Sequence, residues 1–118
     1  MATTVLAGPY TLTITSGQTD SAALSTILSV GQMKQLYNHA TRVNITSPAT
    51  LTGTVSPQIE QVEGGSNWTI QQINGTDVTL TVSRSDLFPL GPFKDFRMHS
   101  TTSEGADRAF IVSFQLEP

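Results

Sequence analysis

Residues 110–116, FIVSFQL, carry the clearest signal of the fold class because their side chains alternate between apolar and mixed character. In an extended chain, Phe110, Val112, Phe114 and Leu116 fall on one face, while Ile111, Ser113 and Gln115 fall on the other. Large side chains repeating with a period of two are typical of a strand with one buried face. The pattern therefore predicts a strand that presents one side to a hydrophobic core.

Similar patterns occur along the rest of the chain. Residues 10–15 (YTLTIT) and 78–82 (VTLTV) alternate in the same way, and both have threonine on the second face. Weaker strand patterns cover residues 42–47, 51–62, 68–70 and 93–99, the last with Phe96 and Met98 on one face and Arg97 and His99 on the other. Within the second of these, Pro57 lacks a backbone N–H, which predicts an edge strand or a bulge.

Two local signals complete the prediction of secondary structure. Asn74-Gly75 is typical of a two-residue hairpin turn. Residues 29–39, SVGQMKQLYNH, place Met33, Leu36 and Tyr37 at helical spacing, which predicts one to three helical turns beside a sheet. We therefore expect an all-β fold: a two-layer antiparallel sandwich, jelly-roll-like, of about seven or eight short strands with one short helix, forming a single domain over residues 1–118.

Composition limits the chemistry and the partners. The chain of 118 residues has no cysteine, which excludes disulfides, zinc–thiolate sites and cysteine nucleophiles. Six Lys and Arg residues and a net charge of −3 argue against nucleic-acid binding. Neither a targeting segment nor an apolar run of membrane-spanning length is visible, so we expect a soluble protein with no membrane partner.

The surface is predicted to carry little charge. Charged residues make up 13% of the chain, about half the usual share, while serine and threonine make up about a quarter. Such a surface can lie against another protein without the cost of desolvating many charges. The alternative interpretation is simply a threonine-rich β protein, since threonine suits strands in general.

No motif indicates catalysis. His39 and His99 lack the spacing of metal ligands, and no serine lies in a nucleophile motif. A pair of carboxylates could hydrolyse glycosides on a β-sandwich. However, Asp77, Asp86, Asp95 and Asp107 fall at predicted strand ends or turns, where aspartate commonly has a structural role. We therefore predict no enzyme activity, no catalytic, metal or cofactor-binding residues, and no cofactor.

The aromatic residues leave two alternatives open. Tyr10, Trp68, Phe88 and Phe93 form either part of the core, which we expect, or a platform on which a sugar could stack. Residues 88–93, FPLGPF, combine two prolines with three large apolar side chains. This segment either covers the core as a lid or presents an apolar patch to a partner.

Several turns resemble those of a known class of protein. They are Ser16-Gly17-Gln18-Thr19, the stretch Pro48-Ala49-Thr50-Leu51-Thr52-Gly53-Thr54 and the closing Ala106-Asp107-Arg108-Ala109. In these turns the chain resembles small β-sandwich virion proteins of tailed bacteriophages, of the capsid cement (decoration) or minor head kind. Residues 22–41 depart from that family pattern, being longer and partly helical.

The resemblance implies a structural role at the capsid surface. It implies a protein that is made in the cytoplasm of the bacterial host, binds the outer face of the capsid and stabilises contacts between copies of the major capsid protein, commonly as a homotrimer. Two other roles stay open: a tail, neck or fibre-associated virion component, and a carbohydrate-binding β-sandwich module.

Overall fold

A computed structural model describes residues 5–62 and 64–117 of the chain. Nine strands and one α-helix are found in these residues, with a short 3₁₀ turn at Leu24–Thr26. The elements in chain order are β1 (Val5–Ile14), α1 (Val30–His39), β2 (Ala40–Thr46), β3 (Val55–Glu60), β4 (Thr69–Ile70), β5 (Gln72–Ile73), β6 (Thr76–Asp77), β7 (Ser85–Pro89), β8 (Asp95–Ser100) and β9 (Arg108–Leu116).

The strands form antiparallel sheets that pack face to face. One sheet has four strands in the order β1-β9-β2-β7, a second has the order β4-β3-β8, and β5 pairs with β6 alone. The first two sheets meet where Phe114 of β9 packs edge-on against Phe96 of β8, with ring centroids 5.4 Å apart. The all-β sandwich-like fold with one helix is thus confirmed.

The last strand lies at the centre of the core, as its sequence pattern predicts. Phe110, Val112 and Phe114 are fully buried, and Leu116 packs at the margin of the same cluster. Because β9 is an interior strand, it pairs with β1 on one side and β2 on the other. The buried faces of those two neighbours add Leu12, Ile14, Val43 and Ile45 to the core.

The predicted strand at residues 78–82 is wrong. Val78 and Leu80 are buried, but their backbone N–H groups donate to two separate partners, the carbonyls of Gln71 and Val55. These two bonds join different segments, and no strand forms over residues 78–82. The chain then turns at Ser83, which has a φ of 57°. In this stretch the alternating sequence corresponds to the burial of Val78 and Leu80 and the exposure of Thr79, but not to a strand.

The expectation for Pro57 is also wrong. It lies in β3, the middle strand of its sheet, and its register opposite Met98 of β8 runs without a bulge. Pairing with β4 covers only Gln58 and Ile59, so the missing N–H of Pro57 interrupts no ladder on that side. Its carbonyl still accepts a hydrogen bond from the Gln71 N–H, at 3.0 Å.

The helix and the hairpin form where local signals predict them. Ser29 caps α1: its hydroxyl accepts from the Gln32 N–H, and the Gln32 side chain accepts from the Ser29 N–H. Met33 and Leu36 are buried against the sandwich. At the hairpin, Asn74 and Gly75 have φ values of 53° and 78°, the left-handed region that a tight two-residue turn requires.

A glycine makes the bulge in β1 possible. The register between β1 and β9 shifts between Ala7 and Tyr10, and Gly8 within this bulge has a φ of 112°. A Cβ atom on Gly8 would lie 2.9 Å from the backbone oxygen of Val112. Both the backbone conformation and the close approach therefore disfavour any side chain here.

We expect Gly8→Ala to lower the free energy of unfolding by roughly 2 kcal/mol, measured by urea denaturation. Gly31→Ala is the matched control, because Gly31 lies in α1 with open space around its Cβ position. The control is expected to leave stability unchanged or raise it by up to about 1 kcal/mol. Equal midpoints for the two variants would contradict the assignment of the bulge.

Candidate functional site

The two histidines lie in different parts of the described chain, and each contacts a single oxygen. His39 is exposed at the end of α1, and its Nδ1 lies 3.1 Å from the carbonyl oxygen of Glu117. His99 is half-buried on β8, with its Nδ1 2.5 Å from an Asp20 carboxylate oxygen. Within residues 5–62 and 64–117, no three His, Asp or Glu side chains come together in a way that could hold a metal ion.

The four aspartates singled out in the sequence make structural contacts. Asp95 accepts from the backbone N–H and the hydroxyl of Ser25, which holds the 3₁₀ turn against β8. Asp107 accepts from the N–H of Ser16, Asp77 from the side chain of Gln72, and Asp86 forms an ion pair with Arg84. These contacts fit the structural role expected of aspartate at strand ends and turns.

Two glutamates, Glu60 and Glu104, are buried in the described chain, and no sequence motif indicates either of them. Glu104 is 1% exposed, and its carboxylate accepts from the N–H groups of Thr52 and Gly53, at 2.7 and 2.9 Å. It also accepts from the Ser100 hydroxyl at 2.7 Å and from Arg108 Nε at 2.9 Å. Burial raises the pKa of Glu104, but these four hydrogen bonds outweigh burial and lower the pKa to about 2.

The second glutamate holds a loop in the same way. Glu60 is buried at the end of β3, and its carboxylate accepts from the backbone N–H groups of Val62 and Asn67. A side chain on Gly65 would collide with this carboxylate, because its Cβ would lie 2.9 Å from Glu60 Cδ. Both glutamates thus have their oxygens occupied by fixed donors, which is the arrangement of a structural anchor.

The predicted aromatic group divides into core and surface members. Tyr10 and Phe88 pack against the core, and Phe93 is buried within it. Trp68 lies apart, directly before β4, where the Arg97 guanidinium is 4.4 Å from its ring centroid. These four residues therefore do not form a stacking platform.

The apolar segment 88–93 acts as a lid on the core. Leu90 and Phe93 are buried, and Phe93 stacks on Phe114 with ring centroids 5.9 Å apart. Leu90 and Phe93 therefore cover the core, and they are not presented to a partner. The residue just before it, Leu87, is 45% exposed and points to the opposite side of the same sheet.

The outer face of the four-stranded sheet is the most distinctive surface of the described chain. The register of the strands places thirteen side chains on this face, opposite to the core. They are Leu6, Thr11 and Thr13 of β1; Arg42, Asn44 and Thr46 of β2; Ser85, Leu87 and Pro89 of β7; and Ala109, Ile111, Ser113 and Gln115 of β9. We call this set the outer face. Only Arg42 among them is charged.

Apolar side chains project from the outer face between short polar ones. Leu6 is 67% exposed, and Leu87 and Ile111 are each 45% exposed, so the face carries three of the seven exposed large apolar residues of the described chain. Ile111 lies in the middle, flanked by Thr11 and Thr46 on the neighbouring strands. The apolar groups are therefore presented on a rigid sheet and do not depend on a flexible loop.

Polar groups on the outer face are ordered among themselves. The Thr46 hydroxyl donates to the Ser85 hydroxyl, which in turn donates to the side-chain oxygen of Asn44, both at 3.0 Å. This chain of hydrogen bonds crosses from β2 to β7 and back. Side chains already fixed in this way lose little rotational freedom when a partner covers them.

A second apolar surface surrounds the start of α1. Ile27 and Val30 are 49% and 65% exposed, and Val30 lines a small cavity of about 70 Å³ together with Leu28, Met33 and Tyr37. The Lys94 ammonium lies 4.1 Å from the Tyr37 ring centroid at the rim of this cavity. Together with the outer face, this surface accounts for five of the seven exposed large apolar residues of the described chain.

Comparison with family models, curated proteins and solved structures finds no match to this chain. Among residues 5–62 and 64–117, none of the helical structure is long and apolar enough to span a membrane.

Proposed function

We propose that this protein is a structural virion component of a tailed bacteriophage that binds the outer side of the capsid and strengthens contacts between coat subunits. The observation that carries the proposal is the outer face, where one residue in thirteen is charged and three large apolar side chains project. In this proposal the major capsid protein covers that face. The turn motifs that resemble phage cement proteins support the same class.

The energetics of docking favour such a face. Removing a charge from water is costly unless the charge finds a partner. Removing a threonine methyl group or a leucine side chain from water is favourable. The cores of protein interfaces are accordingly depleted in charged residues. The outer face is depleted in charged residues over all four strands. Its one charged residue, Arg42, lies at the edge of the face, near the start of β2.

A cement protein needs contacts with more than one subunit. The outer face can bind one coat subunit, and the apolar surface around Val30 supplies a second, separate contact. Anything that binds only the assembled shell stabilises that shell by mass action. Self-association into a closed homotrimer, which we also propose, would multiply these contacts without forming open polymers.

The polar groups of the chain support a non-enzymatic role. The buried carboxylates of Glu60 and Glu104 are held by fixed donors. A general acid or base must be free to exchange its proton near neutral pH, whereas the pKa of Glu104 is about 2. We therefore propose that the protein acts by binding alone.

The test is a charge placed in the middle of the outer face. Ile111→Glu should weaken binding to shells of the coat protein at least tenfold, about 1.4 kcal/mol, because the carboxylate would be buried without a partner. Binding is measured by co-sedimentation of the purified chain with empty capsids. Val82→Glu is the matched control: Val82 is 39% exposed but lies outside the outer face, so its affinity should not change.

Other outcomes separate the competing roles. Equal affinities for the two variants would overturn the assignment of the outer face. If the wild-type chain does not bind capsids but binds tails or necks, the protein belongs elsewhere in the virion. A strictly monomeric chain by light scattering at high concentration, together with no binding to capsids, would end the cement proposal. Unchanged melting temperatures for both variants would exclude misfolding as the cause of lost binding.

A further inference from the structure

The β5–β6 hairpin presents an asparagine in an unusual chemical setting. Asn74 and Gly75 form its two-residue turn, and both are exposed. Their φ values are 53° and 78°. The hairpin is separate from the two larger sheets, since β5 and β6 pair only with each other.

Asn74 differs from the other asparagines in the residue that follows it. The chain contains four asparagines, followed by His39, Ile45, Trp68 and Gly75 respectively. A side chain on the following residue shields the backbone nitrogen that can attack the asparagine amide. Gly75 has no side chain, and the space where its Cβ would lie is open, with no atom within 4 Å. The geometry points to Asn74 as a site of spontaneous deamidation in the folded protein.

The reaction needs only the chain and water. The backbone nitrogen of Gly75 attacks Cγ of Asn74 and loses its proton, so that a new C–N bond closes a five-membered succinimide. The bond from Cγ to the side-chain nitrogen breaks, and ammonia leaves. Water then opens the ring at one of its two carbonyls, which leaves either aspartate or isoaspartate. No oxidant, reductant or enzyme takes part.

The hairpin opens at little cost, which lets the attacking nitrogen reach Cγ. Left-handed turn geometry must relax before the ring can close. Two residue pairs, Gln72 with Asp77 and Ile73 with Thr76, form the ladder, and the Gln72 side chain also donates to the Asp77 carboxylate. An isolated hairpin of this length is marginal in water. Such a segment opens locally without unfolding the sandwich, because the backbone bonds from Gln71 to Pro57 and from Val78 to Gln71 lie outside the turn.

Deamidation changes the charge and the shape of this part of the surface. Each event replaces a neutral amide by a carboxylate close to Asp77, so the net charge goes from −3 to −4. Isoaspartate also adds a methylene group to the backbone, which a two-residue turn cannot accommodate. The hairpin is therefore expected to lose its pairing as the protein ages, while the sandwich stays folded.

The experiment is storage of the purified full chain at mildly alkaline pH, followed by proteolysis and mass spectrometry. Conversion at Asn74 should be about tenfold faster than at Asn67, which is also exposed but precedes Trp68. The isoaspartyl product at Asn74 is identified by its separate elution or by enzymatic methylation. Asn74→Gln should abolish the early product, because the longer side chain closes a ring much more slowly, and it should leave the melting temperature unchanged.

The reference reaction is the same chain unfolded in urea. Conversion at Asn74 that is fast in urea but no faster than at Asn67 in the folded chain would overturn the inference, because the turn would then protect the residue. Equal conversion of the two asparagines in both conditions would overturn it as well. Early product that persists in Asn74→Gln would assign the reaction to another residue and would likewise rule out Asn74 as the site.

Discussion

Glu104→Ala is expected to lower the free energy of unfolding by about 3–5 kcal/mol, the cost of breaking a buried, hydrogen-bonded charge pair from one side. The Glu104 carboxylate joins three segments: the loop containing Thr52 and Gly53, the end of β8 at Ser100, and the start of β9 at Arg108. Its removal leaves two backbone N–H groups and a largely buried guanidinium without their acceptor. Urea denaturation measures the loss.

The matched control for this variant is Glu117→Ala. Glu117 is exposed near the end of the described chain, so its replacement should change stability by less than about 0.5 kcal/mol. If Glu104→Ala were as stable as this control, the carboxylate would not be the anchor that its contacts indicate. Far-ultraviolet circular dichroism should show that both variants keep the β-rich fold in the absence of denaturant.

The same carboxylate predicts how stability depends on pH. The pKa of Glu104 is about 2 in the folded chain against an ordinary value of 4.5. Because the folded value is the lower one, the contribution is present in full above about pH 4.5 and is lost as the pH falls toward 2. The difference corresponds to about 3 kcal/mol over that window. Glu104→Gln cannot ionise, so subtracting its stability curve from that of the wild type should isolate this loss.

Phe114→Ala is expected to cost about 3–5 kcal/mol, because truncating a fully buried aromatic ring leaves a cavity that the core fills only in part. Phe114 is 0% exposed and contacts aromatic rings from both sheets: Phe96 and Phe93 at 5.4 and 5.9 Å, and Tyr10 at 6.4 Å. It therefore contributes to the contact that holds the two sheets together. A fall in the urea midpoint and in the melting temperature measures the effect.

Ile111→Ala is the control on the same strand. Ile111 points to the outer face and is 45% exposed, so its truncation should change stability by less than about 1 kcal/mol. A small effect at both positions would mean that β9 is peripheral and would weaken the sandwich assignment. A large effect at Ile111 alone would mean that the strand presents the opposite face to the core.

Most of the strands could be predicted from the sequence because their signals are local. The burial pattern of β9 follows from the alternation of Phe110, Val112 and Phe114, and that of β8 from Phe96 and Met98. The Asn74-Gly75 turn and the capped start of α1 at Ser29 depend on residues within four positions of each other. Such features need no knowledge of the rest of the chain.

The two wrong predictions concern residues whose structure depends on distant partners. Residues 78–82 have the composition of a strand, yet their backbone hydrogen bonds go from Val78 to Gln71 and from Leu80 to Val55, two different segments. Pro57 is tolerated in a central strand because β4 stops pairing before it. In both cases the outcome depends on how far another segment pairs, which the local sequence does not show.

Part of the candidate site could likewise be predicted from the sequence, and part depends on tertiary contacts. The low charge of the chain and its threonine-rich strand faces were visible in the sequence. That these faces join into one nearly uncharged surface depends on the strand order β1-β9-β2-β7, which places the last strand between the first two long ones. No sequence motif indicates Glu104, and the approach of Thr52, more than fifty positions earlier in the sequence, makes it a buried anchor. Alternation, turns and helix caps could thus be read from the chain alone, because they are properties of neighbouring backbone. Which faces meet solvent together and which charges are buried could be read only from the folded molecule, because both depend on contacts between segments far apart in the chain.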